Sequence, residues 1–365
     1  MINNILIDIG HPGHVHLFKN LYFELKKRGI NCIVTIKDVD IIKSLLNFYD
    51  IPYINLGSKK DHILAKYFKQ IKYNYDIYNI VKKNKIELGI GVSFSVAQVS
   101  KISPMKSIVF DDDDILVEPF FSKYGLPFCD IIITPDCLTH ENRGTGHIKH
   151  PSYHELAYLH PKRFIPDPTI LSEVELKEGE PFIIMRFNVF KAHHDKGIIG
   201  LSLNQKLELV NILKPIGRIF ITTEREIEPE LKKYQLLINP GKAHSLLAFS
   251  TLFIGDSQTM TSEAAVLGVP SLRCNSFTGR ISYLEEEEKR YGLTFAFLPT
   301  QFDALKEKLH ILLNMNNLKE EWQKRRERML NDKIDVTAFM VWFIENWPQS
   351  KNIVEDSTQF WSQFK

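Results

Sequence analysis

The amino-acid sequence predicts an α/β protein made of two doubly wound parallel-sheet domains facing across a cleft. In the first half, short β-rich runs alternate with amphipathic helical segments, and a second such series begins after the proline- and charge-rich stretch Pro161 to Pro181. Within that second series the apolar run Leu252-Phe253-Ile254 ends in Gly255-Asp256-Ser257 at the head of a helical segment, Thr259 to Leu267. A chain of 365 residues suits two domains of about 150 to 180 residues each.

In chain order, strands are expected at Asn4 to Ile9, Asn31 to Ile36, Tyr53 to Leu56, Leu88 to Val92, Ser107 to Phe110 and Asp130 to Thr134. Between the first two, Leu17, Leu21 and Leu25 recur every fourth residue and Gly29 closes the helix. Such alternation predicts a parallel sheet covered on both faces. The second series places strands at Phe182 to Met185, Arg218 to Thr222, Leu236 to Ile238, Leu252 to Ile254, Ser271 to Arg273 and Thr294 to Phe297. Helical segments follow from Phe302 to about Trp347, the charged piece Lys319 to Arg328 being expected in solvent. The resulting division is a first domain over 1–165, a linker over 166–181, a second domain over 182–333, a closing helix over 334–348 and a tail over 349–365.

Bulk composition excludes several classes. Hydrophobic residues make up 44% and charged residues 25%, as in soluble globular proteins, and a net charge of +2 argues against nucleic acid as a partner. No run of 18 uncharged apolar residues exists, and the N-terminus enters a strand directly instead of reading as a signal peptide. Cys32, Cys129, Cys137 and Cys274 lack CxxC spacing, so a reduced cytoplasm is expected, with neither zinc nor disulfides.

A strand that turns through Gly-Asp-Ser into a helix gathers unpaired N–H groups and the positive end of the helix dipole, which is an anion site. Ser257, Gln258 and Thr259 are its residues. Glu263 lies six residues beyond Ser257, about 9 Å along a helix, roughly the reach from a diphosphate to a ribose whose diol a carboxylate can bind. Gly268 and Pro270 then end the helix. Arg186, coming directly off a strand on the crevice side, suits bidentate binding of a diphosphate, with Lys191 or His193 able to add charge. Thr222, Thr223 and Glu224 are candidates for a base or ribose pocket, and His244 for a cap or base-stacking role.

The first strand gives way to Gly10-His11-Pro12-Gly13-His14-Val15-His16, again on the crevice side. Histidine suits proton abstraction from a sugar hydroxyl near neutral pH. Among His11, His14 and His16, His14 is the preferred base, while Gly10 and Gly13 allow close backbone approach. Asp111 to Asp114 follow another strand end. Asp111 or Asp112 is a candidate for positioning the acceptor or acting as base, whereas four adjacent carboxylates that repel one another make a poor metal site. The Lys, Tyr, Phe and Ile interleaved from Lys66 to Lys85 suit an anionic membrane surface.

The segment GDSQTMTSEAAVLGVP resembles the donor-nucleotide motif of GT-B glycosyltransferases and UDP-N-acetylglucosamine 2-epimerases, whose turn holds the diphosphate and whose Glu holds the ribose. The epimerases usually carry two glycines where Gln258 and Thr259 stand. GHPGHV resembles the acceptor-facing loop of the transferase that completes lipid II. Five segments in order, DIGHPGHVHLFKNL, FDDDD, HPSYHELAYLHPKRFIPDP, RFNVFKAHHDKG and AHSLLAFSTLFIGDSQTMTSEAAVLGVPSL, resemble the domain-of-unknown-function 354 family of predicted glycosyltransferases over about residues 1 to 300.

That resemblance implies a GT-B fold of two Rossmann-like domains, a closing helix packed back on the first, and Tyr153 and Glu155 near the cleft. It implies a nucleotide-diphosphate sugar, UDP-linked, as substrate without a further cofactor, and a glycan or polyprenyl-linked acceptor. The activity expected is metal-independent glycosyl transfer in cell-surface polysaccharide biosynthesis. A UDP-sugar 2-epimerase is the alternative within the fold, although the epimerases' H-R-R-E-N loop is lacking. A non-catalytic nucleotide-sugar binding protein is the alternative outside enzymes.

Overall fold

The computed structural model describes residues 2–57, 63–117, 119–139, 141–187, 200–223, 226–354 and 358–365. They fall into two compact units, the first Met1–Arg163 with Lys333–Lys365 and the second Phe164–Asp332.

Unit 1 is built on β1 (Asn4–Ile9), β2 (Asn31–Ile36), β3 (Ile54–Asn55), β4 (Leu88–Gly91), β5 (Lys106–Phe110), β6 (Ile131–Pro135) and β7 (His147–His150). The order is β3-β2-β1-β4-β5-β6-β7, every pair parallel. Helices occupy the crossovers, so the central strands bury both faces and read as apolar runs. A charged-type residue interrupts β1 at Asp8, whose side chain accepts from the Thr35 hydroxyl at 2.8 Å and from the Ser93 hydroxyl. The group is buried, and each of its oxygens has a donor. Because β2 and β4 lie on opposite sides of β1, the chain direction across the sheet reverses there, and the loops after β1 and β4 flank a switch point.

The C-terminal segment completes unit 1. Asp335 caps the helix Val336–Glu345, accepting from the Ala338 N–H at 3.0 Å and from Arg163 Nε at 2.7 Å. The Thr337 hydroxyl donates to the Ala157 carbonyl at 2.7 Å, and the Ser152 hydroxyl to that of Ile334 at 2.8 Å. The described residues 358–365 are not the tail that the composition after Pro348 predicts. Trp361 and Phe364, one turn apart, are buried with their rings 5.1 and 5.5 Å from that of Phe339.

Unit 2 carries β8 (Phe182–Phe187), β9 (Arg218–Thr223), β10 (Leu252–Gly255), β11 (Ser271–Cys274) and β12 (Thr294–Phe297), all parallel in the order β12-β11-β10-β8-β9. Its switch point falls between β8 and β10. Three expectations are corrected. The segment 166–181, read as a linker, holds the helix Thr169–Glu173 with Ile170 and Leu171 buried. The strand expected over Leu236 to Ile238 shrinks to one bridge, Ile221 to Gln235, since Leu237 is exposed and adds nothing to a core. The charged helix Leu318–Asp332 packs by burying Trp322 and Met329. Its Arg326 and Gln323 donate to the carbonyls of Val266 and Gly268 at 2.7 and 3.2 Å, satisfying the C-terminal end of the helix Gln258–Leu267.

Replacing Trp361 by Ala removes a buried ring from beside Phe339, so a loss of ~3 to 5 kcal/mol is expected. Denaturant titration at neutral pH measures it, and a change within error would restore the reading of 349–365 as a dispensable tail.

Candidate functional site

In unit 2, Gly255 ends β10 in register with Arg186 on β8 and Arg273 on β11. A Cβ at Gly255 would lie 2.1 Å from the Arg186 carbonyl oxygen, so only glycine permits this approach. The Asp256 N–H donates to that carbonyl at 3.1 Å, fastening the turn to the strand that carries Arg186. Ser257 then caps the helix Gln258–Leu267, its hydroxyl accepting from the Met260 N–H at 3.3 Å. The cap engages one first-turn donor, and the helix geometry leaves others directed outward at half-buried Gln258 and exposed Thr259. Asn275 holds the turn from behind: its amide donates to the Asp256 carbonyl at 2.8 Å, while its oxygen accepts from the Phe277 N–H at 3.0 Å and from Arg273 at 3.3 Å. Asn275 and Arg273 carried no motif signal and were missed. The geometry is a helix N-terminus next to a strand that carries an arginine, an arrangement that suits an anion.

Glu263, further along the same helix, is buried, and its Oε1 meets His244 Nε2 at 2.9 Å. His244 is buried too, with the Phe164 ring edge-on at 6.3 Å, so it is placed as the partner of Glu263 and not as a stacking face for a base. Thr222 and Thr223 end β9, Thr222 in register with Arg186. Lys191, His193 and Glu224 lie outside the described residues.

In unit 1 the three histidines after β1 have separate tasks. His11 caps the helix Pro12–Lys27, accepting from the Gly13 N–H at 3.2 Å. His16 is buried and stacks on Tyr158 at 5.3 Å, a core contact, which corrects its candidacy for the cleft. His14 Nδ1 accepts from the Gly10 N–H at 3.3 Å. Burial, followed by the charge of His11, holds His14 well below the usual histidine range, so it is neutral. With Nδ1 accepting, its proton sits on Nε2. His14 is therefore arranged to donate a hydrogen bond, and the base assignment predicted for it moves elsewhere.

The acidic run is organised by Arg143, which is almost fully buried and pairs with Asp111, with Glu141 at 2.6 Å and with the Asp113 carbonyl. Burial raises the Asp111 carboxyl to about 6 against the pull of Arg143. At about 6 the group is still mostly ionised at neutral pH, in keeping with its contact with a guanidinium. Asp111 is thus a structural ion, contrary to its candidacy as base. Asp112 instead faces the histidines. Its Oδ2 meets His154 Nδ1 at 3.2 Å, and its charge also reaches His14. Burial would raise the Asp112 carboxyl, but its neighbours, the hydrogen-bonded His154 foremost, outweigh it and hold the group below its ordinary range. Carboxylate oxygens of Asp111, Asp112 and Asp113 lie within 4.8 Å of one another, close enough for a cation. Two of the three already have cationic or donor partners in Arg143 and His154.

Tyr153 and Glu155, expected near the cleft, are buried in unit 1, Tyr153 beneath Lys333 Nζ at 4.3 Å. The residue between them, His154, is the one that reaches the acidic loop. The structure thus brings together His14, Asp112 and His154 in unit 1, and Arg186, the Gly255 to Thr259 turn, His244 and Glu263 in unit 2.

A sequence profile for the family described as "Protein of unknown function (DUF354)" matches residues 3–292. The uncharacterized protein MJ0665 of Methanocaldococcus jannaschii is 25% identical, the match covering 79% of this chain and 87% of that one. Among solved structures, the UDP-GlcNAc 2-epimerase of Neisseria meningitidis bound to UDP-GlcNAc superimposes with a TM-score of 0.65 at 13% identity, covering 94% of this chain and 100% of its own. The glycosyltransferase SsfS6 of Streptomyces sp. SF2575 does so with a TM-score of 0.59 at 10% identity, covering 94% and 100%. The fold is shared with GT-B glycosyltransferases and with these epimerases.

Three unit 1 histidines are held below the usual value, chiefly by burial: His14, His147 at about 4, and His150. The unfolded chain takes up their protons below pH ~6.5 while the folded chain does not, so their contribution is present above that value and is lost as pH falls toward ~4. Urea midpoints measured from pH 7 to pH 5 should decline, and His150→Gln should flatten the decline. An unchanged slope in that variant would show that His150 protonates as readily folded as unfolded.

Proposed function

The chain belongs to the DUF354 family, and from its fold and its two clusters we propose a glycosyltransferase that moves a sugar from a nucleotide-diphosphate sugar to a glycan or lipid-linked acceptor. The carrying observation is the Gly255 to Thr259 turn, where a helix N-terminus opens beside Arg186 at a switch point. Such a turn binds a diphosphate and stabilises it as a leaving group, because its dipoles are already oriented when charge develops. Glu263, steadied by His244, is the ribose ligand in this reading. A UDP-linked donor is proposed because the Neisseria enzyme of the same fold is bound to UDP-GlcNAc.

Transfer is favoured over epimerisation by the acid–base group in unit 1. Asp112 is a partly accessible carboxylate suited to taking the proton of an attacking hydroxyl, and His14 Nε2 is suited to donating a hydrogen bond beside it. Metal independence is part of the proposal, since Arg186 and the helix N-terminus supply the charge stabilisation a cation would provide. No described helix is long and apolar enough to cross a membrane. The helix Ile63–Asn84 exposes Phe68, Ile71 and Tyr75 beside Lys72, which suits peripheral contact through 66–85 with the cytoplasmic face of an anionic membrane, where polysaccharide precursors are assembled. Co-sedimentation with phosphatidylglycerol vesicles but not phosphatidylcholine vesicles is expected; equal binding to both, or to neither, would remove this part of the proposal.

UDP at 100 times its Kd should stabilise the protein by ~2.7 kcal/mol in a thermal-shift measurement, and Glu263→Ala should weaken that binding. Asp112→Asn should leave UDP binding unchanged and lower transfer by roughly 10² to 10⁴-fold, with or without a chelator. Absence of a shift with any nucleoside diphosphate would sink the donor assignment, and conversion of UDP-GlcNAc to its 2-epimer without acceptor would establish the isomerase instead.

A further inference from the structure

The stretch after β7 places His154 against the acidic loop, and neither the family resemblance nor the fold assigns it a role. Its ring is buried, Nδ1 lies 3.2 Å from Asp112 Oδ2, and Nε2 has no hydrogen-bond partner among the described residues. Nδ1 therefore carries the proton shared with Asp112, while a second proton on Nε2 would sit in a buried position without an acceptor. On its other face His154 stacks on His150, the rings 6.4 Å apart and 13° from parallel. His150 is itself buried against Phe339. The imidazole is thus fixed in orientation by packing on one side and by a carboxylate on the other.

We infer that His154 is a positioning residue which holds Asp112 as an ionised carboxylate beside His14, leaving Oδ1 to receive the proton of the attacking hydroxyl. This rests on the transferase reading above. In the step, the hydroxyl oxygen forms a bond to the anomeric carbon as its proton passes to Asp112. The bond from that carbon to the diphosphate oxygen breaks, and its electron pair leaves with the nucleoside diphosphate. His14 Nε2–H remains a hydrogen-bond donor throughout. A hydrogen bond to the charged form favours that form, so removing His154 weakens the preference of Asp112 for ionisation. The other charged or titratable groups facing this cluster are His11 and Lys37 around His14, Lys333 beside His150, and Asp111 with Arg143 next to Asp112.

Release of UDP from UDP-GlcNAc, with water as the attacking hydroxyl, provides the probe. His154→Ala should lower the release rate about tenfold or more, part of the roughly 10² to 10⁴ that a positioned base contributes, with the Kd for UDP unchanged. The acid limb of its pH–rate profile should move to higher pH. His154→Asn, which keeps a donor where Nδ1 stands, should recover most of the rate and return the limb. A purely packing role would lower Tm without moving the limb, and an unmoved limb overturns the inference. A parallel ¹⁵N NMR measurement needs no turnover: His154 should show the Nδ1–H tautomer in the wild type and lose it in Asp112→Ala. A tautomer unaffected by Asp112→Ala overturns the inference whether or not UDP binds, whereas failure of UDP to bind with the tautomer behaving as expected overturns only the donor reading.

Discussion

One buried guanidinium makes the acidic loop of unit 1 possible. Four consecutive aspartates at the end of β5 repel one another and would be held in water by that repulsion and by the cost of desolvation. Arg143 removes the difficulty by placing its fork between Asp111 and Glu141 and by binding the Asp113 carbonyl. With the neighbouring charge neutralised, Asp112 can lie half-buried against His154 and still remain ionised. The same accounting governs unit 2, where Glu263 is buried only in company with His244. In each cluster at the carboxyl edge of a sheet, a buried carboxylate is thus kept in contact with a donor side chain.

What could be read from the sequence divides along the same physical line. Strand cores and the Gly-Asp-Ser turn were legible because burial and capping are local: Leu252 to Ile254 is apolar, and Ser257 lies next to the N–H groups it caps. Pairings across the fold were not. Arg143 stands 32 residues from Asp111, and the β7 strand that leads toward His154, His-Ile-Lys-His, is four residues long with a single apolar residue, too little for a strand signal. Tyr153 and Glu155 share a motif with His154, and only the path of the backbone shows which of the three faces the loop. The three histidines after β1 formed a single cluster in sequence and became a cap, a donor and a core contact because helical geometry turns successive residues by about 100°.

Transferases and 2-epimerases share this fold, so the architecture alone does not choose between them. In the proposed reading the turn in unit 2 answers a requirement common to both, a sugar carried on a diphosphate. The difference in chemistry lies in what removes a proton and from where. In unit 1 the half-buried Asp112 carboxylate lies by the His14 donor, a pairing that in the proposed reading activates a hydroxyl.

Unit 2 is one uninterrupted stretch, Phe164–Asp332, whereas unit 1 is assembled from both sides of it. The helix that supplies Phe339, Met340 and Phe343 to the core of unit 1 is encoded only after all of unit 2. During vectorial synthesis the ribosome therefore delivers a complete unit 2 while unit 1 still lacks part of its interior. The part of unit 1 up to Arg163 must wait, with that apolar surface uncovered, until the segment from Lys333 onward emerges.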